Sequence, residues 1–298
     1  MASREFKQLL SVMKEDLVLP GDSLEAARDK LNAVHGHPIG PDTRVSWTEL
    51  GGVRCAWVDT AETAGSDRVL FLCHGGAFIA AGGDGYLFYA EMLAKPCDAR
   101  VLLVDYRLAP AHRFPAALDD CAAAYAGLLA AGQQPDHVAF IGDSCGGGLA
   151  IAALLRGKEQ GVAMPACAIA LGGWFDLEAT GEAAMHPKGR DPFASREFVR
   201  ARGRDYVGPA GDPRDPLASA IHADLTGLPP LYLQVGDVDL TRDDAVRLAD
   251  RARPRGVDVT VDIHPEMIHG FQGLASAGLP EAVRALEQVG RFIRDRMP

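Results

Sequence analysis

The hydrophobic pattern divides the chain into short apolar runs and longer segments with helical periodicity. Six runs are continuous enough to be strands of a sheet that is covered on both faces: 68–73, 101–105, 138–141, 167–171, 231–235 and 257–263. Helical stretches, among them 86–93 and the alanine-rich 116–131, separate these runs. Strands that alternate with helices predict parallel crossovers and a doubly wound sheet.

A further pair of strands is predicted before the first buried run. Residues 44–49 and 53–59 flank Gly51-Gly52, which is typical of a β-hairpin. We therefore expect an α/β protein with a mostly parallel, eight-stranded sheet and helices on both faces.

Two segments lie outside this alternation. Residues 1–36 carry apolar side chains at helical spacing and predict two helices, which must either pack beside the sheet or lie over its top. The connection 174–228 is too long for one crossover helix, and its best helical candidate is 195–206. Because long connections are usually lids or binding elements, we expect an insertion above the carboxyl edge of the sheet. A mobile surface loop is the alternative.

Composition narrows the class of protein. The chain has 298 residues and a net charge of −10, which suits one large domain and argues against a nucleic-acid partner. The charged N-terminus does not resemble a signal peptide, and no run approaches 18 uncharged apolar residues. We expect a cytoplasmic protein that does not insert into a membrane. The six cysteines are scattered singly, which favours buried free thiols over disulfides or a zinc site.

The strongest chemical signal is Gly142-Asp143-Ser144-Cys145-Gly146, which joins the apolar run 138–141 to a predicted helix. A strand that turns into a helix over G-x-S-x-G is a nucleophile elbow, in which the serine Oγ projects from the edge of the sheet. The turn accepts only small residues two positions from the serine, and glycines occupy both positions. In a chain with 33 glycines the pentapeptide alone could arise by chance, so it needs partners elsewhere.

A candidate oxyanion hole follows the third predicted strand. The sequence His74-Gly75-Gly76-Ala77-Phe78 supplies glycines, which let backbone N–H groups approach a developing negative charge. We expect Gly75 and Gly76 to donate, together with the N–H of Cys145, the residue after the nucleophile.

These motifs resemble those of a known family. The sequences HGGAF, YRLAPAHRFPAALDD (106–120) and GDSCGGGLA are similar to three signatures of the hormone-sensitive-lipase-like bacterial esterases, which have the α/β-hydrolase fold. The resemblance runs from about residue 40 to the C-terminus. It implies a carboxylester hydrolase without a cofactor. A metal site is not expected, because the sequence has no H-x-x-x-H or comparable ligand spacing. The resemblance also implies a catalytic domain at 41–298, capped by residues 1–40 and by an insertion at about 178–225.

The chain departs from the family pattern at three positions. Ala77 stands where the family usually has a third glycine, Ala111 where it has Glu, and Cys145 where it has Ala. None of these changes removes a catalytic atom, so they bear on the range of substrates rather than on activity.

The acid and the base are expected after the last two strands, since the fold requires the order serine, acid, histidine. Asp239 has the family's spacing to the acidic pair Asp243-Asp244, and Asp237 is the competing candidate. His269 lies between the last strand and a final helix, where the base is required. His264 is more simply explained by packing or surface exposure, and His74 and His112 by bracing of their loops.

The resulting hypothesis is a serine carboxylesterase for short- to medium-chain esters. Phe78, Trp174, Phe175 and Phe193 are candidate walls of the substrate pocket, with core packing as the alternative. A lactone hydrolase with the same triad is the main rival, because Met267-x-His269-x-Phe271 resembles lactone-cleaving relatives. A non-catalytic receptor for a small ligand is a third reading. A homodimer through the last strand or helix is left open.

Overall fold

An eight-stranded sheet forms the centre of the computed structural model, which describes residues 2–13, 16–19 and 21–298. The strands are β1 (Arg44–Leu50), β2 (Val53–Asp59), β3 (Val69–Cys73), β4 (Arg100–Val104), β5 (Val138–Asp143), β6 (Cys167–Leu171), β7 (Leu231–Gly236) and β8 (Val259–His264). Their order is β1-β2-β4-β3-β5-β6-β7-β8, in which β2 is antiparallel to both neighbours and all other pairs are parallel. The predicted fold class is confirmed.

Nine α-helices are found in the described part of the chain. They are α1 (Arg4–Val12), α2 (Leu24–His35), α3 (Leu87–Cys97), α4 (Ala116–Ala130), α5 (Cys145–Glu159), α6 (Glu182–Met185), α7 (Arg196–Val207), α8 (Arg242–Ala252) and α9 (Pro280–Arg294). The predicted helical region 1–36 includes Met1, Lys14, Glu15 and Pro20, which lie outside the described residues. No helix of the described ranges combines the length and the apolar composition that a bilayer span requires.

Each face of the sheet carries its own hydrophobic cluster. Along β3, Phe71 belongs to the cluster that contains residues of α4, α5 and α8, whereas Leu70 and Leu72 belong to the cluster on the opposite face, which contains residues of α3 and α9. The alternation follows from the two-residue period of a strand, and it explains why the central strands are apolar throughout. The six cysteines are buried free thiols, as predicted.

The segments outside the alternation lie against loops at the carboxyl edge of the parallel strands. In α2, the Arg28 guanidinium donates to the carbonyls of Ile79 (2.9 Å) and Ala109 (2.8 Å). From the long connection, Tyr206 in α7 stacks on Phe78 with ring centroids 3.8 Å apart. The sequence left open whether the N-terminal helices pack beside the sheet or over its top. The structure shows that α2 covers the top.

Candidate active site

The turn after β5 gives Ser144 a backbone conformation that few side chains adopt. Ser144 has φ 53° and ψ −129° and caps the N-terminus of α5. A Cβ at Gly142 would lie 2.2 Å from the Gly146 carbonyl oxygen, and one at Gly146 would lie 2.1 Å from that of Cys73. The two glycines are therefore required by close backbone packing, which is the local geometry of a nucleophile elbow.

Three side chains that are distant in the sequence meet at this turn. The Ser144 hydroxyl lies 2.9 Å from Nε2 of His269, and Nδ1 of His269 lies 3.0 Å from Oδ2 of Asp239. The contact with Asp239 fixes the tautomer in which Nδ1 donates and Nε2 is free to accept the hydroxyl proton. Parallel strands make this possible, since β5, β7 and β8 all end at the same edge of the sheet.

The carboxylate of Asp239 is held in place by hydrogen bonds within its own loop. Oδ1 of Asp239 accepts from the N–H (2.8 Å) and the hydroxyl (2.9 Å) of Thr241. Gly172, at φ 59° after β6, leaves room for the pair, because a Cβ there would lie 3.0 Å from Asp239 and 3.2 Å from His269. The competing candidate Asp237 instead accepts from the ammonium of Lys188 at 2.6 Å.

Carboxylates around the imidazole determine its charge. Burial by itself would lower the pKa of His269, but Asp239, Asp191 and Asp143 outweigh it and raise the pKa to about 9. A raised pKa makes the imidazole a stronger proton acceptor.

One of the three predicted oxyanion donors already has a partner. The N–H of Gly75 donates to Oδ1 of Asp143 at 3.1 Å and is not free for an oxyanion, which corrects the expectation for this residue. In the described structure the N–H groups of Gly76 and Cys145 have no hydrogen-bond partner, whereas that of Ala77 is directed at the Cys145 thiol. Gly76 and Cys145 are therefore the predicted donors that remain available to an oxyanion.

The side chain of Cys145 contacts this loop. Ala77 and Phe78 have φ values of 55° and 62°, in the left-handed region that favours glycine. Sγ of Cys145 accepts from the Phe78 N–H at 3.2 Å, and burial raises the pKa of the thiol to about 12. The cysteine thus supports the loop as a neutral thiol.

A cavity of about 620 Å³ opens above Ser144 and His269. Trp174 and Phe193 line it, as the sequence led us to expect, but Phe78 and Phe175 do not. Phe78 is 2% exposed because it stacks on Tyr206, and Phe175 is fully buried, so core packing accounts for both. Phe78 is therefore removed from the predicted walls.

Most of the cavity wall comes from residues that sequence reasoning missed. Side chains of the N-terminal segment contribute Leu9, Met13, Leu17, Leu31, Val34, His35 and His37. Burial lowers the pKa of His35 to about 4, which leaves this wall without a positive charge there. The apolar periodicity of the first helices was visible in the sequence, but it could not show which surface they cover.

The residues behind the lactone alternative do not line the cavity. Met267 is fully buried and Phe271 is 1% exposed, and both pack in a cluster with Phe6 and Ile268 beside α9. Packing in the hydrophobic core explains the spacing of Met267 and Phe271 around His269.

Comparison with known proteins adds independent information. A family model described as the alpha/beta hydrolase fold matches residues 70–273. An acetyl-hydrolase from Streptomyces hygroscopicus is 38% identical over 246 residues, which cover 82% of this chain and 81% of that protein. An esterase from Acinetobacter venetianus is 33% identical over 255 residues, which cover 86% and 83% of the two proteins.

Solved structures extend the similarity to the whole chain. An esterase from the bacterial hormone-sensitive lipase family superposes with a TM-score of 0.92 at 34% identity, covering 100% of both chains. EstE5, in a crystal that was soaked with p-nitrophenyl butyrate, superposes with a TM-score of 0.92 at 32% identity, covering 99% of both chains.

Proposed function

The chain belongs to the alpha/beta-hydrolase family, among the bacterial esterases related to hormone-sensitive lipase, and we propose that it is a serine carboxylesterase for short- to medium-chain esters. The single observation that carries the mechanism is the contact of the Ser144 hydroxyl with His269 Nε2 at 2.9 Å, backed by Asp239 at 3.0 Å on Nδ1. The esterase and acetyl-hydrolase names of the relatives support the choice of ester.

Acylation begins at the hydroxyl of Ser144. Its oxygen attacks the ester carbonyl carbon while Nε2 of His269 takes the proton, and the carbonyl oxygen becomes an oxyanion. This oxyanion accepts from the N–H groups of Gly76 and Cys145. When the tetrahedral intermediate collapses, the bond to the alcohol oxygen breaks and His269 protonates the leaving alcohol.

Deacylation repeats the sequence with water. His269 takes a proton from a water molecule, whose oxygen attacks the acyl carbon, and then returns a proton to the Ser144 oxygen as the acid leaves. Asp239 stabilises the imidazolium in both halves, and the proton that His269 returns to Ser144 is the one taken from the attacking water.

The two backbone donors account for much of the expected rate. Removing one oxyanion donor in enzymes of this chemistry typically costs about 2.7 to 4 kcal/mol, because such donors meet charge that exists only in the transition state. Both belong to tightly packed turns, so they are oriented before the substrate binds.

The cavity supports the proposed range of substrates. Its volume of about 620 Å³ and its mostly apolar wall suit an ester with a small acyl and alcohol group. We assign the cap to residues 1–40 and about 178–225, since Leu9 and Leu31 from the first segment and Phe193 and Phe198 from the second line the cavity.

The decisive test is Ser144→Ala with p-nitrophenyl acetate. We expect turnover to fall by a factor of about 10⁴ or more, because the nucleophile is lost while the fold is kept. Ser11→Ala, which removes an exposed hydroxyl, is the control and should match the wild type. Substantial turnover by a folded Ser144→Ala variant would refute the mechanism.

A graded series measures the substrate range. Rates on p-nitrophenyl esters from acetate to dodecanoate, beside a panel of lactones, should be highest for the short and medium linear esters. A preference for lactones over all linear esters would replace the carboxylesterase by a lactone hydrolase.

A further inference from the structure

A carboxylate from the long insertion contacts the backbone of the catalytic histidine. Oδ2 of Asp191 accepts the backbone N–H of His269 at 2.7 Å. Its other oxygen, Oδ1, accepts the N–H of Phe193 at 3.0 Å, which holds the carboxylate in one orientation. Both oxygens are therefore occupied, one by the histidine loop and one by a wall of the substrate cavity.

The residues on either side of Asp191 bind the N-terminal segment. The Arg190 guanidinium lies 2.9 Å from the carboxylate of Asp16 and also donates to the carbonyl of Met13. The Pro192 carbonyl accepts the N–H of Leu17 at 2.7 Å. Three consecutive residues thus join the segment that carries Met13 and Leu17, both on the cavity wall, to the loop that carries His269.

The charge of Asp191 also reaches the imidazole. The carboxylates that face His269 are Asp239 after β7, Asp143 at the end of β5 and Asp191 from the insertion, and all three raise its pKa. The nearby cations are engaged elsewhere, since Lys188 pairs with Asp237 and Arg190 with Asp16. Burial and then the charge of Asp239 raise the pKa of Asp191 to about 6, so it is ionised where an esterase with a neutral histidine works.

We propose that Asp191 is a positioning residue for His269, which fixes the histidine loop through the backbone N–H and couples it to the segments that cover the substrate cavity. This inference rests on the proposed function, in which His269 is the base. The backbone contact sets the position of Nε2 relative to the Ser144 hydroxyl, and a misplaced catalytic group loses much of its rate. The negative charge adds to that of Asp239 in stabilising the imidazolium.

Two variants separate the backbone contact from the charge. Asp191→Ala removes both acceptors, and we expect kcat on p-nitrophenyl acetate to fall about tenfold while KM changes less than about threefold, because positioning acts on the chemical step. Asp191→Asn keeps one acceptor and removes the charge, so the acid limb of kcat/KM should move to lower pH. Asp237→Asn is the matched control, since it removes a carboxylate of the same region that does not contact His269.

An NMR titration of His269 in protein labelled with ¹⁵N-histidine tests the effect of the Asp191 charge on the imidazole without relying on turnover. Its midpoint should move to lower pH in Asp191→Asn and remain at the wild-type value in Asp237→Asn. A retained midpoint in Asp191→Asn, or a wild-type kcat in a folded Asp191→Ala, would overturn the proposal. If Asp191→Ala does not fold, the titration of Asp191→Asn decides. Turnover by Ser144→Ala would refute the esterase mechanism and leave this titration interpretable.

Discussion

Two neighbouring aspartates show how little sequence separates the proposed catalytic acid from a surface ion pair. Asp239 is 1% exposed, contacts His269 and is held by Thr241, whereas Asp237, two positions earlier, pairs with Lys188. Both follow the same strand and both precede an acidic pair. The direction of the loop after β7 therefore decides which carboxylate reaches the imidazole.

Exchanging each carboxylate for an amide tests this assignment. Asp239→Asn should lower kcat on p-nitrophenyl acetate by a factor of about 10³ to 10⁴, because an amide no longer fixes the tautomer or stabilises the imidazolium. The measurement is steady-state turnover at pH 8.

Asp237→Asn serves as the comparison and should keep kcat within about twofold of the wild type. The opposite ranking of the two variants would move the role of the acid to Asp237.

At the scale of elements, helix α1 has one face on the substrate cavity and another face in solvent. Along α1, Leu9 lines the substrate cavity, whereas Val12 is 66% exposed. The helix begins at a Ser3 cap and is anchored near α9, because the Ser3 N–H and hydroxyl donate to Glu281 at 2.6 and 3.0 Å. An amphipathic helix of this kind places one stripe over the site and leaves the other to solvent.

Introducing a charged residue on each face of α1 in turn tests whether only the cavity face affects substrate binding. Leu9→Asp should raise KM for p-nitrophenyl butyrate about tenfold with a smaller change in kcat, since a carboxylate in an apolar wall is costly to desolvate. Initial rates over a range of substrate concentrations measure the effect.

The paired change on the exposed stripe, Val12→Asp, should leave both constants within about twofold. Equal effects of the two substitutions would show that α1 acts only through stability and does not form the wall.

For the whole molecule, the charge of one buried histidine links activity to stability. His269 has a pKa raised to about 9 from an ordinary value of 6.5, since the surrounding carboxylates outweigh its burial. A group whose pKa is raised on folding stabilises the protein fully below the unfolded value, and this contribution is lost as pH rises through the folded value. Catalysis requires the neutral imidazole, which becomes dominant only at the upper end of that range.

We therefore predict opposite trends between pH 6.5 and 9. The value of kcat/KM should rise with pH, while the free energy of unfolding, measured by urea titration, should fall. His269→Gln should show a weaker fall in stability over the same range. A variant with the same pH slope as the wild type would exclude His269 as the source of this linkage.

Periodicity and motifs predicted the sheet, the turn after β5 and the contact between Ser144 and His269 with little error. The run 167–171 coincides with β6 as observed, and Ser144 and His269 are brought into contact as their motif positions led us to expect. These features depend on local chemistry: apolar runs form buried strands, and glycines permit one tight turn. The engagement of the Gly75 N–H was not predicted, because it depends on a contact with Asp143, 68 positions away.

The sequence by itself determined what local rules can express, namely the sheet, the nucleophile turn and the edge at which the chemistry takes place. Only the tertiary structure decided that α2 covers that edge, that Phe78 belongs to the core, and that Asp191 reaches His269 from the insertion. The physical reason is that these contacts join segments far apart in the chain. The partner of a given aspartate or aromatic side chain therefore depends on how elements that are distant in the sequence pack together. The spacing of residues along the chain does not contain this information.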